Sequence, residues 1–370
     1  METKKYRFDE VTINFDKKRI PLSSAQREKR QGTFRYYGAQ GVIDHVDDYI
    51  YDGTYLLIAE DGENLKSKKQ NIAQVVDGQF WVNNHAHIVQ GNEQSDTRFL
   101  CYLINSMDLS GYVTGSAQPK LSQANLNAIT LSLPTLVEQK RIVEYLYMLD
   151  QKIDVNRQIN DNLADLLQTV YQERFGDTSL IANQGILSDI CSYSRDKVAV
   201  SELNVSTYFS TENMLSGKAG STEATSLPTT SQTTACHKGD TLISNIRPYF
   251  KKIVYCEDNC GCSTDVLCFT PSQPRYSAYL FSTLYADKFF AFMVAGSKGT
   301  KMPRGDKQQI MTYPVVLPSE EELAGFNTIA SPLLEQIYSN RAENKRLSIL
   351  RDTLLPKLMS GEIDVSAVQL

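Results

Sequence analysis

Apolar residues in the middle of the chain recur at an alternating spacing of four and three, over residues 135–175. The repeat places the following residues in one seam: Ile142, Leu146, Leu149, Ile153, Asn156, Asn160, Leu163, Leu167 and Val170. Such a pattern over three or more heptads predicts a coiled-coil helix, and about 40 residues at 1.5 Å each give about 60 Å. Two seam asparagines predict a fixed register with a specified partner, because buried amides pair at a cost in stability.

A second copy of this stretch lies 184 residues further along the chain without a gap. The shift matches several seam residues of the first copy to the following residues of the second: Leu333, Ile337, Asn340, Asn344 and Leu347. Each copy opens with a capping box, Thr135 with Glu138 and Ser319 with Glu322, and each meets a glycine near its end. We therefore expect the two helices to pair with each other, with Asn156 facing Asn344 and Asn160 facing Asn340. The alternative, two unrelated core helices, conflicts with a length far above the usual 11 to 12 residues.

The segments between and before the helices have the alternation of short apolar runs and turns that is typical of mixed α/β domains. Tyr55–Ala59 and residues 79–90 are predicted strands, and residues 98–107 a helix. Residues 239–243, 263–267 and 275–284 repeat these elements. The predicted fold is α+β, with two tandem mixed α/β target-recognition domains separated by two long helices that form an antiparallel coiled coil. The boundaries are 1–134, 135–176, 177–318 and 319–370, and the whole is a pseudo-two-fold repeat.

Composition narrows the class of protein. The 370 residues carry a net charge of −5, so contacts with phosphates must come from local clusters of cations. Seven cysteines, an odd number, and an N-terminus without an apolar core indicate a reduced cytoplasmic protein. The apolar runs are too short to span a membrane, so we expect a soluble chain.

Motifs of catalysis are missing from the sequence. There is no GxxxxGK[ST] loop, no GxGxxG between a strand and a helix, no HExxH, and no Asn/Asp-Pro-Pro-aromatic loop of the amino-methyltransferases. The sequence therefore predicts a chain without catalytic residues.

Cysteines and histidines are the candidates for metal binding. Cys256, Cys260, Cys262 and Cys268, with Cys236 and His237 upstream, lack the paired CxxC spacing of a zinc ribbon, so buried thiols are the favoured interpretation. His85 and His87 are predicted to share one face of a strand, where packing or a hydrogen bond to a base edge suits them better than a metal.

Clusters of cations next to Asn, Gln, Ser and aromatic residues occur in both predicted domains. The candidate DNA-binding residues are Arg30, Arg35, Lys66, Lys68, Lys69 and Lys120 in the first domain and Arg247, Lys251, Lys252, Lys301 and Arg304 in the second. Cations position phosphates, and neighbouring polar side chains can read base edges. A solvated surface would explain any single cluster. Recurrence in both domains favours nucleic-acid binding.

The helices and the loop before them resemble those of type I restriction-modification specificity subunits, the HsdS family. The resemblance rests on residues 133–143, 149–153 and 156–160, on the loop 115–121 and on the ending 351–363, and it covers essentially the whole chain. Residues 320–327 depart from the family pattern, because they lack the Glu-Gln-Lys-Arg-Ile run of the first helix.

This resemblance implies the function. Two target-recognition domains would each read half of a split double-stranded DNA sequence in the major groove, and the paired helices would set the unread gap. Two modification subunits with S-adenosyl-methionine, and restriction subunits with ATP and Mg, would carry the chemistry, so no cofactor and no metal is expected on this chain. Three alternatives remain: a coiled-coil adaptor for ligands other than DNA, an enzyme with a cryptic site, and a specificity gene without its partners.

Overall fold

The computed structural model of the chain describes residues 2–67, 70–115, 118–176 and 183–363. They fall into unit 1, which is Met1–Ile153 with Lys345–Leu370, and unit 2, which is Asp154–Asn344. Each long helix contributes residues to both units, so the units do not coincide with the four segments expected from the sequence. That four-segment organisation stays a prediction.

Unit 1 combines short strands and helices. Its strands are β1 (Lys4–Arg7), β2 (Thr12–Asn14), β3 (Gln31–Gly38), β4 (Gly41–Val46), β5 (Tyr51–Asp52), β6 (Tyr55–Ala59), β7 (Ala73–Val76), β8 (Gln79–Val82), β9 (Ala86–Gly91) and β10 (Thr130–Leu133). Its helices are α1 (Phe8–Val11), α2 (Ser24–Glu28), α3 (Asn64–Ser67), α4 (Thr97–Ser106), α5 (Gln123–Asn127) and the first part of α6 (Leu136–Phe175). The strands form sheets in the orders β2-β9-β6-β7 and β4-β3-β8-β5, and β1 pairs with β10.

Unit 2 has the same kinds of elements. Its strands are β11 (Gln184–Ile186), β12 (Cys191–Tyr193), β13 (Lys197–Ala199), β14 (Tyr208–Phe209), β15 (Gln232–Cys236), β16 (Thr241–Ser244), β17 (Ile253–Tyr255), β18 (Cys260–Cys262), β19 (Val266–Pro271) and β20 (Pro314–Val316). Its helices are α7 (Leu187–Ile190), α8 (Ser277–Tyr285), α9 (Asp287–Ala295), α10 (Lys307–Met311) and the first part of α11 (Glu320–Ser360). The sheets have the orders β12-β19-β16-β17 and β13-β15-β18-β14, and β11 pairs with β20.

The two units repeat one topology, as the sequence predicted. In the first sheet of each unit the strand order is the same, with β6 and β16 in equivalent central positions. In the second sheet, the strand β8 or β18 has one parallel and one antiparallel neighbour. The fourth strand pairs with the parallel neighbour in unit 1 and with the antiparallel neighbour in unit 2. The units therefore share a central scaffold and differ at the edges of one sheet.

One predicted strand was wrong. Residues 79–90 form two strands, β8 and β9, and these belong to different sheets of unit 1. The chain turns at residues 83–85, where Asn83 accepts a hydrogen bond from the His85 backbone N–H at 2.8 Å. A local Asx turn of this kind ends a strand that the apolar pattern alone would continue.

The long helices begin at the capping boxes that the sequence predicted. Thr135 donates its backbone N–H to the Glu138 carboxylate at 2.9 Å, and Ser319 does the same to Glu322 at 2.8 Å. The helices run for 40 and 41 residues. Gly361, at φ +74°, directly follows α11, where a left-handed residue satisfies the last carbonyls. No helix among the described residues is long and apolar enough to cross a membrane.

Within unit 2 the two helices pair in opposite directions through the seam asparagines. Asn156 donates its side-chain amide to Asn344 Oδ1 at 2.9 Å, and Asn340 donates to Asn160 Oδ1 at 2.9 Å. Both predicted pairings are confirmed, and the rise of one number against the fall of the other makes the helices antiparallel. The amide of Asn156 also donates to the Glu343 carboxylate at 2.7 Å.

The predicted apolar seam residues line the same helices. Ile337 is 6% exposed in unit 2, and Ile153 is 3% exposed in unit 1, while Leu163 and Leu347 are half-buried. Within unit 1, Leu358 of α11 packs into one core with Ile142 and Leu146 of α6. Arg351 also donates to the Asp150 carboxylate at 2.7 Å there. Each unit thus contains its own stretch of helix-to-helix packing.

Candidate nucleic-acid interface

Each unit joins two polar loops at the same place in the scaffold. In unit 1 these loops are residues 60–67 and 114–120, and in unit 2 they are residues 245–252 and 298–304; we refer to each set as a loop pair. Isolated β-bridges connect Lys120 to Asp61 and Thr114, and Arg304 to Ile246 and Lys298. The bridges across the second loop repeat at the 184-residue shift of the helices. The loop pair is therefore part of the repeated scaffold.

A glycine fixes the turn of the second loop in each unit. Gly115 has φ +84° and Gly299 has φ +100°. A Cβ added to Gly115 would lie 2.3 Å from the Gln118 carbonyl oxygen, so no other residue fits without a backbone shift. The sequence motif Gly-x-x-x-Pro-Lys/Arg thus encodes a defined turn, and its cation, Lys120 or Arg304, follows the proline.

A buried ionic cluster holds the loop pair of unit 1. Asp16 contacts His87 Nδ1 at 2.6 Å and accepts the Ile88 N–H at 2.8 Å. The other ring nitrogen of His87 lies 2.8 Å from the carbonyl oxygen of Leu121, at the end of the second loop. Burial by itself would raise the pKa of Asp16, but His87, the Ile88 N–H and Arg19 together hold it below its usual range. The carboxylate is therefore charged at neutral pH and anchors the loop from beneath.

The same cluster extends outward to the predicted cation Lys120. Arg19 donates to the Glu60 carboxylate at 3.0 Å, and Lys120 Nζ lies 3.3 Å from the other Glu60 oxygen. Burial favours the neutral acid, yet the charges and hydrogen bonds of its neighbours lower the pKa of Glu60. The side chain of Lys120 remains 55% exposed, so its ammonium group is available to a phosphate.

The other predicted cations of unit 1 lie in different surroundings. Lys66 belongs to the loop pair and donates to the Gly115 carbonyl at 2.9 Å. Arg30 and Arg35 lie instead at the β4-β3-β8-β5 sheet, where Arg30 pairs with Asp47 at 2.9 Å and Arg35 donates to the Asp77 carbonyl at 2.7 Å. Lys68 and Lys69 lie outside the described residues. Whether any of these cations contacts DNA stays a prediction.

The five predicted cations of unit 2 all lie in its loop pair. Arg304 pairs with Asp265 at 3.0 Å and is 52% exposed, and Lys301 is exposed. Lys251 pairs with Asp287 at 2.9 Å. Lys252 is partly buried, which lowers its pKa, and it donates to the Thr211 carbonyl. Among the described residues, the buried Nε of Arg247 has no hydrogen-bond partner. Lys301 and Arg304 are thus the most accessible cations of this set, and Lys252 has a structural role.

The two histidines do not share a strand face, contrary to the prediction. His85 lies in the turn before β9 with its side chain 49% exposed, and its Nδ1 is 2.7 Å from Asp61 in the loop pair. His87 lies inside β9, and its side chain is 1% exposed. Because the turn at residues 83–85 ends the strand pattern, the spacing of two no longer fixes a common face. His87 is a structural residue beneath the loops.

The cysteines of unit 2 are buried, as predicted, and five of them fill the space between its two sheets. These five occupy the positions held in unit 1 by apolar and aromatic side chains; the cysteines are Cys236, Cys256, Cys260, Cys262 and Cys268, and the counterparts are Tyr51, Val76, Phe80, Val82 and Ile88. Cys256 and Cys260 have their sulfur atoms 3.6 Å apart. Throughout the described ranges, no group of three or more His, Cys, Asp or Glu side chains is arranged to hold a metal ion.

Sequence reasoning missed Asp16, Arg19 and Glu60, the residues that support the loop pair of unit 1. The contact between Asp16 and His87 spans 71 residues, and the one between Arg19 and Glu60 spans 41. No local pattern marks such pairs, because each partner reads as an ordinary polar residue in its own segment. The aromatic residues Tyr249 and Phe250 were visible in the sequence, but their exposure was not.

Comparisons with known proteins agree with these features. Residues 2–164 match the family model described as the type I restriction modification DNA specificity domain. A putative type I restriction enzyme specificity subunit of Haemophilus influenzae is 36% identical over 138 residues, which is 37% of this chain and 35% of the relative. The EcoprrI specificity subunit of Escherichia coli is 26% identical over 125 residues, 33% of this chain and 30% of the relative. The matched stretch thus spans about a third of the length of these curated relatives.

A solved structure shares the fold over nearly the whole chain. The crystal structure of the S subunit of a type I restriction-modification system from M. genitalium superposes with a TM-score of 0.59. It covers 97% of this chain and 96% of that chain at 16% sequence identity. Two mixed α/β repeats with long helices are therefore an architecture found in both chains.

Proposed function

We propose that this chain, whose residues 2–164 belong to the family of type I restriction modification DNA specificity domains, is the DNA-recognition subunit of a type I restriction-modification complex. The target would be a split double-stranded sequence, with one half-site for each unit. The chain itself would carry no catalytic residues and no cofactor.

The observation that carries this proposal is the loop pair, present once in each unit. The scaffold of the loops is common to the units, from the glycine turn to the cation that follows the proline. The side chains on the loops differ, since Gly62, Glu63 and Asn64 stand in unit 1 where unit 2 has Arg247, Pro248 and Tyr249. A common scaffold with different exposed side chains is suited to reading two different sequences.

The long helices would set the gap between the half-sites. Each is continuous for 40 residues or more, and the paired asparagines fix a single register. A register fixed by buried amides resists sliding, so a spacing defined by the helices would be constant. The proposed partners are two modification subunits and restriction subunits. S-adenosyl-methionine, ATP and Mg would be bound by these partners.

The first experiment maps methylated adenines in the genome of a host that carries this chain and its partners. The expected result is a bipartite motif with a constant gap. Insertion of seven residues into both long helices, in register, should change the gap and leave the half-sites unchanged. An altered half-site with an unchanged gap would contradict the role of the helices.

A binding experiment tests the loop pairs. Lys120→Ala and Arg304→Ala should each weaken binding to the duplex, and each should lower the slope of log K against log salt by about 0.9 if one phosphate contact is lost. The matched control is Lys4→Ala, because Lys4 is exposed on β1 away from the loop pair in sequence. Failure of the complex to bind any duplex at low salt would refute the proposed function and favour an adaptor for other ligands.

A further inference from the structure

Two aromatic side chains project from the loop pair of unit 2. Tyr249 is 50% exposed and Phe250 is 38% exposed, although both are large and apolar. They lie on the single 3₁₀ turn Pro248–Phe250, and their ring centroids are 4.7 Å apart with the planes at 56°. Met302, on the second loop of the pair, is 48% exposed. Adjacent exposed aromatic rings on a recognition loop indicate a contact surface.

The backbone on both sides of the aromatic pair is in a conformation that residues other than glycine rarely adopt. Arg247 has φ +50° and Lys251 has φ +51°. Left-handed conformations of this kind are unfavourable for side chains with a Cβ and persist where the surrounding structure imposes them. Such outliers occur preferentially at functional sites, so the conformation points to a role for the turn.

Backbone hydrogen bonds hold the turn from three sides. Arg247 donates to the Pro303 carbonyl at 2.7 Å. Gly217 donates to the Phe250 carbonyl at 2.8 Å, and Lys218 donates to the Lys251 carbonyl at 2.9 Å. The turn is therefore fixed before any ligand binds, and its rings keep their direction without support from a partner.

Cations adjoin the rings in sequence and in the loop pair, which favours an anionic partner with flat apolar faces. Lys251 follows Phe250, while Lys301 and Arg304 flank Met302 and Pro303. Nucleic acid combines these properties, because phosphates lie beside stacked bases. The corresponding loop of unit 1, residues 61–67, contains no aromatic residue. The feature therefore belongs to unit 2 only.

We propose that Tyr249 and Phe250 form an aromatic wedge that enters one base step of the half-site read by unit 2 and unstacks it. This inference rests on the proposed function of DNA recognition. Apolar side chains that enter a base step unstack it, and the energy of unstacking depends on the step. The wedge would thus select a flexible step, such as TA or CA, without hydrogen bonds to its bases.

The test uses the complete complex and duplexes that contain both half-sites, identified by adenine methylation mapping. One 2-aminopurine replaces a base at each position in turn, and its fluorescence rises when stacking is lost. We expect a rise at one step of the second half-site, apart from any rise at the methylated adenine. Tyr249→Ala with Phe250→Ala should abolish that rise and weaken binding roughly tenfold or more, because one stacked base contributes about 5- to 150-fold in affinity.

Two matched variants separate the wedge from a general loss of surface. Tyr249→Phe keeps both rings and should keep the fluorescence rise. Ile186→Ala removes another apolar side chain of unit 2 that is 40% exposed, and it should change neither fluorescence nor affinity. Thermal unfolding followed by circular dichroism verifies that each variant is folded.

The outcomes distinguish the wedge from the proposed function. Binding of the bipartite duplex without a wedge-dependent rise at any position would overturn the wedge and leave DNA recognition intact. Loss of a modification subunit from the double-alanine complex, with unchanged affinity for DNA, would also overturn it, because the rings would then contact protein. If the wild-type complex binds no duplex, the proposed function itself fails.

Discussion

The buried carboxylate of Asp16 offers a direct test of how unit 1 supports its loop pair. Asp16 is 7% exposed, accepts the Ile88 N–H at 2.8 Å and contacts His87 at 2.6 Å and Arg19 at 3.4 Å. Asp16→Asn removes the charge and places an amide donor against groups that donate. We expect this substitution to destabilise unit 1 because it leaves buried donors without an acceptor.

The magnitude follows from the contacts. A hydrogen bond to a charged group contributes about 1.5 to 3 kcal/mol, and breaking a buried ion pair by removing one partner costs about 3 to 5 kcal/mol. Asparagine keeps one oxygen, which can still accept the Ile88 N–H, so part of the contact survives. The expected loss in the free energy of unfolding is about 3 kcal/mol at neutral pH.

The pH dependence has a defined sign. The pKa of Asp16 is lowered in the folded state, so its stabilising contribution is present above the ordinary carboxyl pKa of about 3.9 and disappears as pH falls through the lowered value. The difference between the wild-type chain and Asp16→Asn should therefore be largest at neutral pH. It should decrease once the pH drops below about 4.

Tryptophan fluorescence provides the assay. The sequence contains one tryptophan, Trp81, which lies in unit 1, is 4% exposed and donates to the Ile20 carbonyl at 2.6 Å. Urea unfolding followed by its emission therefore reports on unit 1. The control is Asp48→Asn, at an exposed carboxylate 3.8 Å from Arg30, which should change stability by less than about 0.5 kcal/mol. An effect of Asp16→Asn no larger than the control, or one independent of pH, would refute the reasoning.

Three further predictions concern unit 2. Asn156→Ala and Asn344→Ala should each cost about 1 to 3 kcal/mol in urea unfolding followed by circular dichroism, with a coupling of at least about 0.5 kcal/mol in a double-mutant cycle; additive effects would contradict their pairing. Burial raises the pKa of Glu257 to about 8 against the opposing charge of Arg341, so stability should fall as pH rises from about 4.5 to 8, and Glu257→Gln should remove that slope. Of the seven thiols, six are buried and one is half-buried, so a thiol reagent should react slowly with the native chain and with all seven after unfolding; rapid reaction of several native thiols would contradict the packing.

The sequence determined the long helices, their caps and their register. Each of these depends on residues three, four or seven positions apart, so the signal is contained in a short window. Asparagines in two seam positions then limited the pairing, because buried amides require amides opposite. The repeat at a shift of 184 residues also predicted that the loops at Gly115 and Gly299 share one turn, and both glycines do adopt a positive φ.

The arrangement of strands within the sheets was decided only by the tertiary structure. The apolar run at residues 79–90 reads as one strand, yet the turn at Asn83 divides it between two sheets. The fourth strand of the second sheet pairs on opposite sides in the two units. Strand pairing joins residues that are distant in sequence, so spacing within a segment does not specify it.

The environment of each cation was likewise invisible in the sequence. Lys252 and Lys301 look equivalent as letters, but one donates to a carbonyl inside the loop pair and the other is exposed. Asp16, His87 and Leu121 come from three segments and meet beneath a single loop. Periodicity along the chain therefore determined the helices, because their contacts are local. Which polar side chains support the loops and which face a ligand was decided by folding, because burial and charge pairing depend on neighbours that only the tertiary structure brings together.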